Sequence, residues 1–342
     1  MKILFTGGVT GGHFYPIVAV AQEINKQVKE NKLFGVELYY MSTSPYNQGI
    51  LYENDIIYKK NPAGKIRRYF SLFNIVDVFK TGWGVLRALF VVFDIFPDVI
   101  FGKGGYASFP ALFAGRILKI PVIIHESDSA PGKVNAWAGK FARRIALSYP
   151  EAVSYFPKDK VAVTGNPVRK EMLEPAIGDA EEFFNLEKNV PVILVLGGSQ
   201  GAQVINNAII DTIPQLVARY QIIHQTGRKN LEEVKTTSEV LLLQNENRLR
   251  YKPYDYLDTA TLRLAAEAAD IVISRAGSTI FEIAAWGKPS ILIPITNSND
   301  DHQRKNVFDE TVQIAQPELE AKDGGDLTRI EQKKTRGRFE AA

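Results

Sequence analysis

DIVISRAGSTIFEIAAWGKPSILIPITNSNDDHQRKN, residues 270–306, decides the reading of the chain. Ile271 to Ser274 is a short apolar strand, and Arg275-Ala276-Gly277 a tight turn. A helix follows from about Ser278 to Trp286, and Ser290 to Ile295 is a second apolar strand. Thr279 and Glu282 have the spacing of a capping box, while Gly287 followed by Pro289 stops the helix. Near-continuous apolar strands are those of a parallel sheet covered on both faces. The unit is strand–helix–strand, with a glycine-bearing turn at the carboxyl end of its first strand. In open parallel sheets ligands bind there.

The pattern recurs upstream. Lys2 to Phe5 is a strand, followed by Thr6-Gly7-Gly8-Val9-Thr10-Gly11-Gly12-His13 and an amphipathic helix from about Tyr15 to Val28. Asp98 to Phe101 opens onto Gly102-Lys103-Gly104-Gly105, and Pro121 to Ile124 ends in His125-Glu126-Ser127-Asp128. After a turn at Gly165-Asn166-Pro167-Val168-Arg169 the series restarts: strand Val192 to Leu196, loop Gly197-Gly198-Ser199-Gln200-Gly201, helix Val204 to Val217. Two strand–glycine-loop–helix beginnings predict an α/β protein with two doubly wound, Rossmann-like domains facing each other across a cleft. The expected division is residues 1–165 and 166–342, with a polar, charge-rich tail from about Pro317 that reads as weakly structured or as a solvated helix.

Composition narrows the function. The chain has 342 residues and a net charge of +3, so nucleic acid is not expected as a partner. It has no cysteine, which excludes disulfides, thiolate metal sites and a cysteine nucleophile. MKILFTGG enters a strand at once, so no signal peptide is expected. The glycine loops lack the G-x-G-x-x-G spacing, which disfavours a dinucleotide and hence a dehydrogenase. Residues 65–96 interleave Lys65, Arg67, Arg68 and Lys80 with many aromatic and aliphatic side chains. Such a segment is either one or two helices packed on the sheet with the basic residues solvated, or a membrane-facing patch, since both share one periodicity.

Seven stretches in order carry a resemblance: GGVTGGHFYP, FGKGGYASFPALFAG, HESDSAPGKVN, VTGNPVR, GGSQGAQVIN, SRAGSTIFEIAAWGKPSILIP and DHQRKN. Over about residues 1–306 the chain resembles the MurG family of UDP-N-acetylglucosamine:N-acetylmuramyl-(pentapeptide) pyrophosphoryl-undecaprenol N-acetylglucosamine transferases. The resemblance implies the GT-B fold, with the lipid-linked acceptor (lipid I) on the N-terminal domain and UDP-GlcNAc mainly on the C-terminal one. It implies an inverting transfer that yields lipid II at the cytoplasmic face of the bacterial membrane. Cell-wall synthesis and division proteins are the implied partners.

On this basis Ala276, Gly277, Ser278 and Thr279 hold the donor diphosphate, Glu282 the ribose hydroxyls, Gln303 the sugar hydroxyls, and Ser199 and Gln200 the nucleotide-sugar loop. Arg169 reaches the diphosphate across the cleft, and Tyr254 falls where the family contacts uracil. Thr10, Gly11, Gly12 and Asp128 line the acceptor side. His13 is the first choice for the base that deprotonates the acceptor hydroxyl, because histidine titrates near ~6.5. His125 and Glu126 are the other candidates. Each has a plainer reading: Glu282 as capping-box partner, His13 as a cap of its own loop, Arg169 and Gln303 as surface residues. No cofactor and no metal are expected, because no Asp-x-Asp stands beside a glycine loop. One departure concerns the acceptor side: the family often has Gln-Asn where this chain has Ser127-Asp128, and a carboxylate cannot donate hydrogen bonds. Three other readings stay open: another glycolipid transferase, a UDP-GlcNAc 2-epimerase, and a sugar-nucleotide-binding protein without turnover.

Overall fold

A computed structural model describes residues 1–65, 73–198 and 201–294, with side chains for all but 73–75. Seven strands form a first sheet: β1 (Lys2–Thr6), β2 (Glu37–Ser42), β3 (Ile56–Lys60), β4 (Val99–Gly102), β5 (Val122–Glu126), β6 (Arg144–Leu147) and β7 (Val161–Val163). Five form a second: β8 (Val192–Leu196), β9 (Gln221–Gln225), β10 (Tyr251–Tyr254), β11 (Ile271–Arg275) and β12 (Ser290–Ile293). All pairings are parallel, in the orders β3-β2-β1-β4-β5-β6-β7 and β10-β9-β8-β11-β12. Buried runs such as VILVL in β8 explain this, since helices on both faces must cover a parallel sheet.

Chain direction along each sheet reverses once, between β1 and β4 and between β8 and β11. Connections leaving these strands diverge to opposite faces and open a crevice at their carboxyl ends. The four loops there are the glycine-bearing ones: Gly7–Thr10, Lys103–Gly105, Gly197–Gly198 and Ala276–Ser278. The fold thus places these four glycine-bearing loops at two facing crevices.

Three elements differ from expectation for local reasons. The first long helix spans Gly11–Glu30, so Gly11, Gly12 and His13 lie inside its first turn. The Thr10 carbonyl starts it, accepting from His13 and Phe14 N–H at 3.0 Å each. Strand β5 runs on to Glu126, which puts His125 and Glu126 within the buried sheet edge instead of in a loop. The helix Thr279–Ala285 has Ser278 as its N-cap in a helical conformation, with no side-chain cap. Thr279 therefore lies one position inside, the capping box does not form, and Glu282 turns to a charged donor instead.

The helix Phe73–Ile95 serves two faces. Ala88, Val92 and Ile95 are buried with Leu4, Ile100 and Ile124 of the first sheet. On its other side Val76, Phe79, Trp83, Leu86, Phe90 and Phe93 are exposed, Phe79 at 75% and Phe90 at 76%. Arg67 and Arg68 lie outside the described residues, as does the tail.

The second domain's core holds a neutral histidine. His224 Nδ1 lies 2.8 Å from the Tyr251 hydroxyl and Nε2 lies 3.1 Å from Asn206 Oδ1, so Nε2 carries the proton and Nδ1 accepts. Burial pushes its pKa from 6.5 down to about 3. His125 shifts the same way. Unfolding releases both to take up protons, so both cost stability as pH falls below ~6.5, His224 by about 1.4 kcal/mol per pH unit down to its folded value. Urea unfolding at pH 6.5 and 5 is expected to show this slope, and His224→Gln to flatten it by one histidine's share. An unchanged slope in that variant would place the acid sensitivity elsewhere.

Candidate active site

The first glycine loop presents His13. Its Nδ1 lies 2.8 Å from Thr10 Oγ1, a contact that fixes the ring about the helix start. The second glycine loop closes beneath it. Gly105 has φ +79°, and a Cβ there would stand 2.7 Å from Gly8 Cα and 3.2 Å from His13 Nε2, so only glycine fits. Across the cleft, a Cβ on Gly12 would come within 2.7 Å of Ser278 Oγ. The turn carrying His13 and the turn after β11 are therefore in direct contact.

Glu126 occupies the end of β5 and organises the loop behind His13. Its Oε1 accepts from Ser127 N–H (2.8 Å) and Asp128 N–H (3.1 Å). Its Oε2 accepts from Gly132 N–H (3.0 Å) and Asn135 Nδ2 (2.9 Å). Burial raises its pKa, the Asp128 charge adds to that, and these hydrogen bonds oppose it. Four donors commit the carboxylate to bracing residues 127–135, the segment that carries Asp128. His125 is likewise engaged: its Nε2 lies 3.0 Å from the Gly165 carbonyl and Nδ1 2.7 Å from Lys103 Nζ. Burial and the Lys103 charge keep it neutral. Of the three candidate bases, His13 alone stands at the contact between the two crevices.

Arg169 bridges the two sheets. It is 4% exposed and donates from Nη2 to Glu282 Oε1 (3.1 Å) and from Nη1 to Thr259 Oγ1 (2.9 Å). Its guanidinium lies 3.7 Å from the centre of the Tyr15 ring, a cation–π contact across the cleft. Nε is buried and unpartnered among the described residues. The Tyr15 hydroxyl in turn meets Tyr256 at 2.8 Å, again from one sheet's helix to the other side. Burial raises the pKa of Glu282, and Arg169 opposes the rise.

Gly277, Ala276 and Ser278 form the turn after β11, with Ala276 buried. Tyr254 ends β10. Its carbonyl accepts from Thr226 N–H (2.9 Å) and Thr226 Oγ1 (3.0 Å), and its ring packs on Phe184. Ser199, Gln200 and Gln303 lie outside the described residues. Lys103, Tyr15, Tyr256 and Thr259 were not singled out by the sequence. For Lys103 a signal existed, a lysine inside the loop Gly102–Gly105; for the tyrosines and Thr259 none is local.

Comparison with known proteins follows this layout. Residues 3–147 match the model of the glycosyltransferase family 28 N-terminal domain, and residues 192–322 that of its C-terminal domain. A curated relative from Treponema denticola, named UDP-N-acetylglucosamine--N-acetylmuramyl-(pentapeptide) pyrophosphoryl-undecaprenol N-acetylglucosamine transferase, is 36% identical over 307 residues, 86% of this chain and 77% of the relative. Among solved structures, Acinetobacter baumannii MurG superposes with a TM-score of 0.61 at 24% identity, covering 90% of this chain and 81% of that one. A putative UDP-N-acetylglucosamine 2-epimerase from Listeria monocytogenes superposes at 0.64 with 13% identity, over 90% and 81% of the two chains. At these identities the two structures speak for the GT-B fold alone. The sequence relationship goes further: the chain belongs to the MurG branch of glycosyltransferase family 28.

Proposed function

We infer that the protein transfers N-acetylglucosamine from UDP-GlcNAc to the MurNAc 4-hydroxyl of lipid I, with inversion, to give lipid II. The observation that carries this is the contact of Gly12 with Ser278, which sets a histidine beside the turn assigned to the donor diphosphate. In this reading His13 Nδ1–H is held by Thr10, and Nε2 takes the acceptor proton as the 4-oxygen attacks the anomeric carbon. The bond from that carbon to the diphosphate oxygen breaks, and UDP leaves with added negative charge. The Gly277–Thr279 amides and Arg169 stabilise that charge, an effect that grows toward the transition state. Arg169 takes Glu282 Oε1, so the ribose hydroxyls fall to Oε2. Glu126 acts as a positioning residue through the loop that carries Asp128. The acceptor side is assigned to residues 1–165 and the donor side to 166–342.

A 2-epimerase would share the nucleotide site, but it has no use for the apolar stripe on the helix Phe73–Ile95. Among the described residues no helix is long and apolar enough to cross a membrane. The stripe, flanked by exposed Lys80 and Arg87, fits peripheral attachment to an anionic bilayer at the cytoplasmic face, where the acceptor's lipid is anchored. Phe79→Glu together with Phe90→Glu is expected to cut co-sedimentation with anionic vesicles about tenfold or more, while transfer to a short-chain acceptor persists. Unchanged sedimentation would remove the stripe from membrane binding.

The reaction is tested by transfer of labelled GlcNAc from UDP-GlcNAc to a short-chain lipid I analogue with EDTA present. Product is expected; donor binding without product would point to a different acceptor.

A further inference from the structure

Lys103 is a buried charge that the reaction above leaves unused. It stands just beyond β4 inside the second glycine loop, 3% exposed, with its N–H bonded to the Thr6 carbonyl at 2.8 Å. A buried ammonium is costly unless its donors are satisfied. Here Nζ donates to Ser127 Oγ and to Asn166 Oδ1 (3.2 Å), and it lies 2.7 Å from His125 Nδ1. Because His125 Nε2 faces the Gly165 carbonyl, which only accepts, that nitrogen carries the proton and Nδ1 accepts from Lys103. Three N–H groups thus meet three acceptors on three segments: the end of β5, the loop after it, and the linker Gly165-Asn166 that runs through Pro167 and Val168 to Arg169. The carboxylates of Glu126 and Asp128 face the ammonium and favour its charge.

We infer that Lys103 is a positioning residue for the transfer, locking the acceptor-side wall at Ser127 and Asp128 to the linker that aims Arg169 at the donor. The inference rests on the transferase reading. A side chain needed only for volume would be apolar here, since methionine has similar length and no desolvation cost. The ionised group holds the wall and the linker in one register, because its three donors are spent on both. It also offsets the Asp128 carboxylate beside a site that must admit two diphosphates. Burial outweighs the two carboxylates and lowers the Lys103 pKa from 10.5 to about 8, so the arrangement has an upper pH bound.

The test is Lys103→Met, assayed for GlcNAc transfer across a pH series, with UDP binding measured separately. The expected result is a fall in kcat of up to about 10²-fold with UDP affinity lowered no more than a few fold, because Thr259 and Glu282 still hold Arg169 while its alignment with the acceptor wall is lost. The unsubstituted protein is expected to lose activity as pH rises past about 8, the range in which Lys103 deprotonates, and the variant to lack that limb. Adding Asp128→Asn is expected to restore part of the rate by removing a carboxylate left without its counter-charge. Should Lys103→Met fail to fold, Ser127→Ala and Asn166→Ala each remove one acceptor and are expected to lower kcat with the melting temperature held. Transfer by a Lys103→Met protein with unaltered kcat and an unaltered alkaline limb overturns the inference, as does full activity in both single-acceptor variants. No transfer by the unsubstituted protein overturns the transferase reading itself, and this inference with it.

Discussion

His13→Ala is expected to lower kcat for sugar transfer by about 10²–10⁴-fold while UDP-GlcNAc affinity stays within a few fold. That range corresponds to about 2.7–5.5 kcal/mol of transition-state stabilisation, a usual share for a positioned general base. The separation of the two effects follows from position. His13 lies in the first turn of the helix Gly11–Glu30, which follows β1 of the first sheet, whereas Glu282 and the turn after β11 belong to the other sheet. Its ring is held on one edge by Thr10 and closed beneath by Gly105, and the neighbouring Gly12, not the ring, meets Ser278 of the turn after β11. Thr10→Val is expected to give a smaller loss in kcat, since it frees the ring without removing it. Isothermal titration with UDP and initial-rate kinetics separate the two quantities. A variant that binds donor poorly but turns over normally at saturation would sink the assignment of His13 as base.

Most of the fold was legible because parallel strands announce themselves as apolar runs. VILVL and IVIS needed no tertiary context, and the restart at Val192 predicted the second sheet. What the residues alone left open was pairing across distance. Thr279 and Glu282 have the spacing of a local cap, yet Glu282 is claimed by Arg169, which is 113 residues away in sequence. A guanidinium gives a charge-assisted bond stronger than a backbone N–H, and no short-range pattern encodes that competitor. Glu126 shows the same limit. As one polar residue after a buried strand it reads as a candidate base, but four N–H donors converge on it from residues 127 to 135. The segment at 65–96 offered two readings because a helix can be apolar on both sides; Ala88 and Val92 face the core while Phe79 and Phe90 face out. Periodicity identifies a helix with an apolar face, and only the sheet's position tells which face remains.

Arg169→Ala is expected to destabilise the protein by about 3–5 kcal/mol at neutral pH and to weaken UDP-GlcNAc binding at the same time. The stability term arises from what is left behind. Arg169 and Glu282 are 4% and 15% exposed, so truncating the arginine strands a carboxylate with little water to replace its partner. Thr259 and the Tyr15 ring lose their contacts with the guanidinium as well. The pH dependence has a definite sign. Burial raises the Glu282 pKa above 4.5 and Arg169 lowers it, so the variant carries a still higher value. A carboxylate with a raised folded pKa contributes stability that is full below ~4.5 and lost as pH rises through the folded value. The deficit of Arg169→Ala is therefore largest at neutral pH and shrinks on acidification. Arg169→Ala with Glu282→Gln is expected to recover part of the lost stability, because no unpaired charge remains, but none of the donor affinity. Urea unfolding at two pH values and UDP titration of the three variants measure this. Additive losses in the double variant would mean that Arg169 and Glu282 are not energetically coupled through their 3.1 Å contact.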